Sequence, residues 1–198
     1  MIATLGDTAM GAHQIAFNVW DVVYIPLISI GSAIATRMGH AIGAGDRQGI
    51  SATISTGMLL TAIVALLSTV LLLSSPALIV RACTDDQAIL GIALALIRLA
   101  ALFIVLDAIQ VVASFCLRAY KDTRYPFLIM CLAYWLISLP LGYWLGLVKA
   151  EDAASGAQAF WAAMIVGIGI AALLVSWRLI HTLRKPLPKI DPTEIEAF

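Results

Sequence analysis

The chain has 198 residues, of which 62% are hydrophobic and 12% are charged, and its mean hydropathy is +0.98. A soluble core of this size could not bury so much apolar surface, so the composition excludes an ordinary soluble domain and predicts a membrane protein. Twelve Lys and Arg residues balance 12 Asp and Glu residues, and this balance gives no reason to expect a nucleic-acid partner.

Long apolar segments alternate with short polar connections along the chain. A spanning helix needs roughly 20 mostly apolar residues, and five segments meet that requirement. They cover about residues 12–38, 50–78, 88–117, 126–147 and 160–180. The sequence therefore predicts an all-α, polytopic membrane bundle of about five transmembrane helices, with Pro26 as an expected kink. Residues 1–182 would form the membrane domain and residues 183–198 a disordered cytoplasmic tail.

Basic residues collect on one side of the predicted bundle. The first-to-second loop, the third-to-fourth loop, the neighbouring helix ends and the tail hold nine of them, whereas the other side has only Arg81 and Lys149. The nine are Arg37, Arg47, Arg118, Lys121, Arg124, Arg178, Arg184, Lys185 and Lys189. Cytoplasmic loops accumulate Lys and Arg. We therefore expect a multi-pass protein of the cytoplasmic (inner) membrane, with an extracytoplasmic N-terminus and a cytoplasmic C-terminus.

Asp107 stands about two-thirds of the way along the third predicted span. A carboxylate at that depth needs a cation, a proton or a water-filled cavity, so an ion site is one interpretation. Gln110 and Ser114 fall on the same helical face and extend it as a polar stripe. The alternative is an ion pair that only fixes helix packing, although Arg98 lies nearly opposite and about 13 Å along the helix.

A second polar stripe occupies the first predicted span. Gln14, Asn18 and Asp21 recur at helical spacing near its extracytoplasmic end. They predict either the wall of a wet cavity or hydrogen bonds between helices. In the loop before the third span, Asp85 and Asp86 could attract cationic substrates, or they could simply be solvated.

Other kinds of chemistry find little support in the sequence. The three cysteines and three histidines show no metal-ligand spacing, so we expect no metal beyond a sodium ion at Asp107. The GAGD stretch lacks the pattern of a phosphate loop, and no hydrolase motif is present. The sequence therefore predicts no enzyme and no cofactor.

Several motifs, taken in order, resemble one transporter family. The run GAHQIAFNVWDVVYIPLISIGSAIATRMGHAIGAGDRQG resembles the eighth helix and following loop of the multidrug and toxic compound extrusion (MATE) family, NorM-like branch. LDAIQVVASFCLRAYKDTRYP is similar to its tenth helix and basic loop, YWLISLPLGYWLG to its eleventh and GAQAFWAAMIVGIGIAALL to its twelfth. The resemblance covers almost the whole chain.

The resemblance implies a fold, a function and roles for particular residues. The family has two bundles of six helices that alternate access, driven by sodium ions or protons, and this chain would supply helices eight to twelve. Asp107 falls on the family's cation-coupling aspartate, Gln14 on its HQ motif, and Asp85 and Asp86 in a loop that holds cationic drugs in some relatives. Phe103 stands where some relatives have tyrosine.

The expected function is multidrug efflux by sodium- or proton-coupled antiport, with the chain as an incomplete fragment of the transporter. Its partners would be membrane lipid, cationic or hydrophobic small molecules, and the missing N-terminal half. Two alternatives remain open at this point. One is a truncated membrane interaction module without transport, and the other is a lipid-linked sugar flippase of the same superfamily, whose anionic substrates would require basic residues such as Arg98.

Overall fold

The structure is a computed structural model that describes residues 2–186. A short 3-10 turn, Ile2–Leu5, precedes the first helix, and the described residues contain no β-strand. The helices are α1 (Asp7–Gly43), α2 (Arg47–Ser74), α3 (Pro76–Arg81), α4 (Gln87–Ala119), α5 (Arg124–Val148) and α6 (Ala153–Leu183). All except the short α3 are long and apolar enough to cross a membrane. The predicted all-α bundle of five transmembrane helices is thus confirmed.

The second span ends earlier than the sequence suggested. Residues 50–78 were predicted as one span, but α2 ends at Ser74, and Pro76 begins the separate helix α3. Proline cannot donate a backbone hydrogen bond and disfavours helical geometry in the residue before it, whereas it is well tolerated in the first turn of a helix. In α1, by contrast, the helix continues on both sides of Pro26.

The C-terminal tail is described only up to Pro186. Helix α6 continues to Leu183, so the first residue of the predicted tail is still helical. The predicted disorder of the tail, and the position of Lys189, lie outside the described residues.

Helix α4 is the centre of the bundle and packs against α1, α2 and α6. Small side chains let these helices approach closely, as is common where helices pack in lipid. On α1 they are Ala9, Ala12 and Ala16, and on α4 they are Ala93, Ala100 and Ala101, all of them buried. This arrangement buries one face of α4 inside the bundle.

Helix α5 has irregular winding. Leu132–Ser138 and Trp144–Val148 are π-helical, and between them lies a short α-helical piece that contains Pro140. Proline removes one hydrogen bond of the regular ladder, and wider π turns are one way in which a helix accommodates such a loss. Gly142 and Gly146 of α5 face the Phe160 ring of α6 and leave room for it.

An ion pair ties the connection before α5 to the end of α6. The Arg178 Nε donates to Asp122 Oδ2 at 2.8 Å, and both side chains are largely buried. The Arg178 guanidinium also lies over the Tyr125 ring, 3.7 Å from its centroid. Because Asp122 lies two residues before the start of α5, this contact fixes where α5 leaves the basic end of the bundle.

Candidate functional site

Asp107 lies on the interior face of α4, with only 4% of its surface exposed. It is 12 residues before the end of the helix, which places it about 18 Å below that end. Within residues 2–186, its carboxylate oxygen Oδ2 has no hydrogen-bond donor. A buried carboxylate without a partner is costly in lipid, and such groups commonly mark ion or substrate pathways.

Gln110 and Ser114 continue the polar face of α4 beside Asp107. Gln110 is 6% exposed, and its amide nitrogen donates to the Ser114 hydroxyl at 2.8 Å and to the Met130 sulfur at 3.3 Å. Because both bonds use the nitrogen, the carbonyl oxygen is the group of Gln110 that can serve as a cation ligand. Met130 belongs to α5, so this network connects α4 with α5.

Aromatic residues of two other helices lie in the neighbourhood of Asp107. The Trp20 side chain approaches the Asp107 carboxyl, but its indole N–H is itself buried and makes no hydrogen bond of ordinary geometry. The phenols of Tyr24 on α1 and Tyr134 on α5 lie within electrostatic range of Asp107 and of each other. The helices α1 and α5 thus bring aromatic side chains that also carry polar groups into the neighbourhood of Asp107.

A closed ring of aromatic contacts holds Trp20 in place. His13, Phe17, Trp20, Phe103 and Trp161 contact one another in sequence, with centroid distances of 5.1 to 6.3 Å, and link α1, α4 and α6. The Trp161 indole donates to His13 Nδ1 at 3.2 Å. This bond uses the lone pair of Nδ1 and joins α6 to α1.

The predicted stripe on α1 lies outside the bundle interior. Gln14, Asn18 and Asp21 are all exposed, and the Gln14 amide donates to Asn18 Oδ1 at 2.9 Å. Tyr24 connects this stripe to the interior, because its phenol is within electrostatic range of both Asp21 and Asp107. The exposed stripe is therefore separate from the buried Asp107.

The two loop aspartates and Arg98 also lie away from Asp107. Asp85 and Asp86 are exposed, and Asp86 caps α4 by accepting a hydrogen bond from the Ala88 N–H at 2.8 Å. That cap is a local structural role that the sequence reading did not assign. Arg98 is exposed on α4, whereas Asp107 on the same helix is buried.

Sequence reasoning did not include Trp20, Tyr24 and Tyr134 in the site. Phe17, Trp20 and Tyr24 recur at spacings of three and four residues, which marks one helical face. That spacing was a usable signal, but nothing in it shows that the face meets α4. Tyr134 lies on α5 and is half-buried.

A hard cation is the ligand that this group of residues fits best. The Asp107 carboxylate, the Gln110 carbonyl and the phenols near them are oxygen groups, which suit sodium or a proton better than a soft metal. The site lies inside a bundle of spanning helices, not at a surface cleft. Fold and site together define a polytopic membrane protein with an unpaired carboxylate buried in its central helix.

Comparison with known proteins identifies the family. The MatE family profile matches residues 1–144, and the chain belongs to this family. A protein named Multidrug resistance protein NorM, from Vibrio vulnificus, is 39% identical over 194 residues, which are 96% of this chain and 42% of that protein. Another, named Probable multidrug resistance protein NorM, from Idiomarina loihiensis, is 36% identical over 93% of this chain and 40% of its own length.

A solved structure shares the fold. The crystal structure of the eukaryotic MATE transporter AtDTX14 superposes with a TM-score of 0.79 at 17% sequence identity. It covers 86% of this chain and 37% of its own chain. The chain therefore spans about 40% of the length of the NorM relatives that it matches. It is a multi-pass membrane protein with the fold of part of a MATE transporter.

Proposed function

We propose that this chain forms the C-terminal part of an exporter that moves hydrophobic or cationic small molecules across the cytoplasmic membrane in exchange for sodium ions or protons. One observation carries the proposal: Asp107 is a buried carboxylate in the central spanning helix, and its Oδ2 has no hydrogen-bond donor among residues 2–186. Binding a cation or a proton would remove the free-energy cost of this buried, unpaired charge.

Coupling requires that cation and drug prefer different shapes of the protein. With the cation bound, Asp107 is neutralised and its contacts with α1 and α5 can tighten. Without the cation, the buried charge favours a shape that admits water or a cationic substrate. Trp20 and Tyr24 on α1, and Tyr134 on α5, are the side chains positioned to carry this change from α4 to its neighbours.

An N-terminal bundle is the partner that this function requires. The chain spans about 40% of its NorM relatives, and alternating access needs one bundle to move against another. The α1 stripe of Gln14, Asn18 and Asp21 is exposed and is followed at helical spacing by exposed Ser29, Ser32 and Thr36. Such a polar face is unfavourable against lipid and suits the wall of a cavity shared with the missing helices.

The same exposed face supports a second candidate function. A chain that cannot complete the cavity alone could instead act as a membrane interaction module without transport, bound through the polar face of α1. The NorM relatives, which are named as multidrug resistance proteins, and the buried Asp107 favour export. An interaction module has no need of an unpaired carboxylate in its interior.

Reconstitution separates these functions. The full chain is placed in proteoliposomes, alone and fused to the preceding part of the Vibrio vulnificus relative, and efflux of a fluorescent cationic dye is followed under an imposed sodium or proton gradient. We expect gradient-dependent efflux from the fusion. Efflux by the chain alone would remove the need for a partner. A fusion that elutes as a folded monodisperse protein but moves no dye would favour the interaction module.

The proposed orientation places the connection between α3 and α4 outside the cell. Cys83 lies in that connection and is exposed, whereas Cys116 is buried and Cys131 is half-buried. In intact cells we expect a membrane-impermeant maleimide to label the wild-type chain and the Cys131→Ser variant equally. The Cys83→Ser variant should lose nearly all labelling. Labelling of Cys83 only after the cells are opened would reverse the orientation.

A further inference from the structure

A groove of about 560 Å³ runs between α1 and α2 near the basic end of the bundle. It is separate from the Asp107 site, since none of its lining residues contributes to that site. Its deeper part is lined by apolar groups, including Ile30, Ile34 and Leu60. Gly57 of α2 lies directly against the Ile34 side chain, so the two helices are in contact at the floor of this part.

The outer part of the groove carries two opposite charges that do not pair. Arg37 on α1 and Asp46 before α2 both line it, and Arg37 forms no ion pair within residues 2–186. Asp46 caps α2 by accepting from the Gly49 N–H at 2.9 Å, which holds its carboxylate in place without neutralising it. His40 and Thr53 add polar groups on either side.

These groups are ordered by depth. Helix α1 has 37 residues and is about 55 Å long, so roughly 12 Å at each end projects beyond a hydrocarbon core of about 30 Å. In an α1 that stands upright and centred in the membrane, Arg37, about 9 Å from the helix end, would lie at the headgroup level. Ile30, about 20 Å from the same end, would lie among acyl chains. Asp46, in the turn itself, is outermost.

From the outside inward, the groove thus presents a negative charge, a positive charge and an apolar slot. We propose that it binds a phospholipid with a primary-amine headgroup. The amine would bind Asp46, the phosphate would bind Arg37 with His40 and Thr53, and an acyl chain would lie along Ile34 and Leu60. An ethanolamine headgroup has these charges in this order, and its N–H groups can donate to a carboxylate.

Other lipid headgroups match the groove less well. A choline headgroup has the same charges, but its quaternary ammonium carries no N–H and cannot donate to Asp46. A glycerol headgroup has the phosphate but brings no positive charge to Asp46, so the lipid's net negative charge meets an uncompensated carboxylate. The groove should therefore discriminate ethanolamine from both.

Native mass spectrometry of the purified full chain tests this proposal. The chain in detergent is titrated with dioleoyl phosphatidylethanolamine, phosphatidylcholine or phosphatidylglycerol, and the retained lipid is counted. We expect at least threefold greater retention of phosphatidylethanolamine than of the other two. Arg37→Gln should reduce that retention at least threefold. Asp46→Asn should make the ethanolamine and choline lipids equivalent while preserving the helix cap, since asparagine caps as well as aspartate.

Two exposed charges outside the groove provide matched controls. Arg124→Gln and Asp152→Asn should retain the lipids as the wild type does. Equal retention of all three lipids by the wild type, or retention of none, would overturn the proposal, as would equal losses in groove and control variants. Preference for phosphatidylglycerol would also overturn the assignment to an amine headgroup. Because lipid retention is measured without transport, a failure here leaves the proposed export function untouched.

Discussion

Replacing Asp107 by asparagine should reduce gradient-driven dye efflux at least tenfold in the reconstituted fusion protein. Asparagine has nearly the same shape, but it can neither accept the coupling proton nor neutralise a sodium ion. The carboxylate is 4% exposed and its Oδ2 has no donor, so a neutral amide should not disturb folding through a lost hydrogen bond. The loss of efflux should therefore come from lost coupling, which depends on differential cation binding.

Two further measurements distinguish lost coupling from general damage. Asp152→Asn is a suitable control, because Asp152 is exposed at the start of α6 and asparagine can keep its cap. We expect this variant to transport at the wild-type rate. Dye binding without a gradient should persist in Asp107→Asn. If Asp107→Asn kept the wild-type gradient dependence, Asp107 would not be the coupling group.

The five spanning helices and the depth of Asp107 were predictable from the sequence. Both depend on local hydrophobicity, because a helix in lipid must satisfy its own backbone and be apolar along its length. Where hydropathy continues across a backbone break, the same reasoning fails. Ala77 and Leu78 are apolar, so the sequence prediction included them in the second span. In the structure α2 ends at Ser74, and both residues belong to α3, which begins at Pro76.

The surroundings of Asp107 were not predictable, because they depend on which helix faces meet. Trp20 and Tyr24 come near Asp107 because α1 packs on α4, and Tyr134 of α5 lies within electrostatic range of it. Helical spacing identifies residues on one face of one helix. Helical spacing does not show which helix packs against that face. On α1 it identified the polar stripe, whereas the residues near Asp107 are the aromatic residues of the neighbouring face.

Gly167→Ala should lower the free energy of unfolding by about 1 to 3 kcal/mol, the usual cost of overpacking a close contact. Gly167 lies on α6 against α5. An added Cβ would lie within 2.9 Å of the Ala133 carbonyl oxygen and closer still to the buried Ser138 hydroxyl. A carbonyl of the α5 backbone cannot move away without shifting that helix. The steric clash with the added Cβ would therefore be only partly removed.

Gly169→Ala on the same helix is the matched control. Its added Cβ would meet only Leu106 Cδ1 at 3.6 Å, an ordinary contact. Replacing glycine by alanine in a helix normally gains up to about 1 kcal/mol. Gly169→Ala should therefore be as stable as the wild type or more so, when both variants are unfolded in mixed micelles and followed by circular dichroism. Equal stability of the two variants would show that α5 and α6 can separate at Gly167, and the position of Tyr134 beside Asp107 would then not be held by close helix packing.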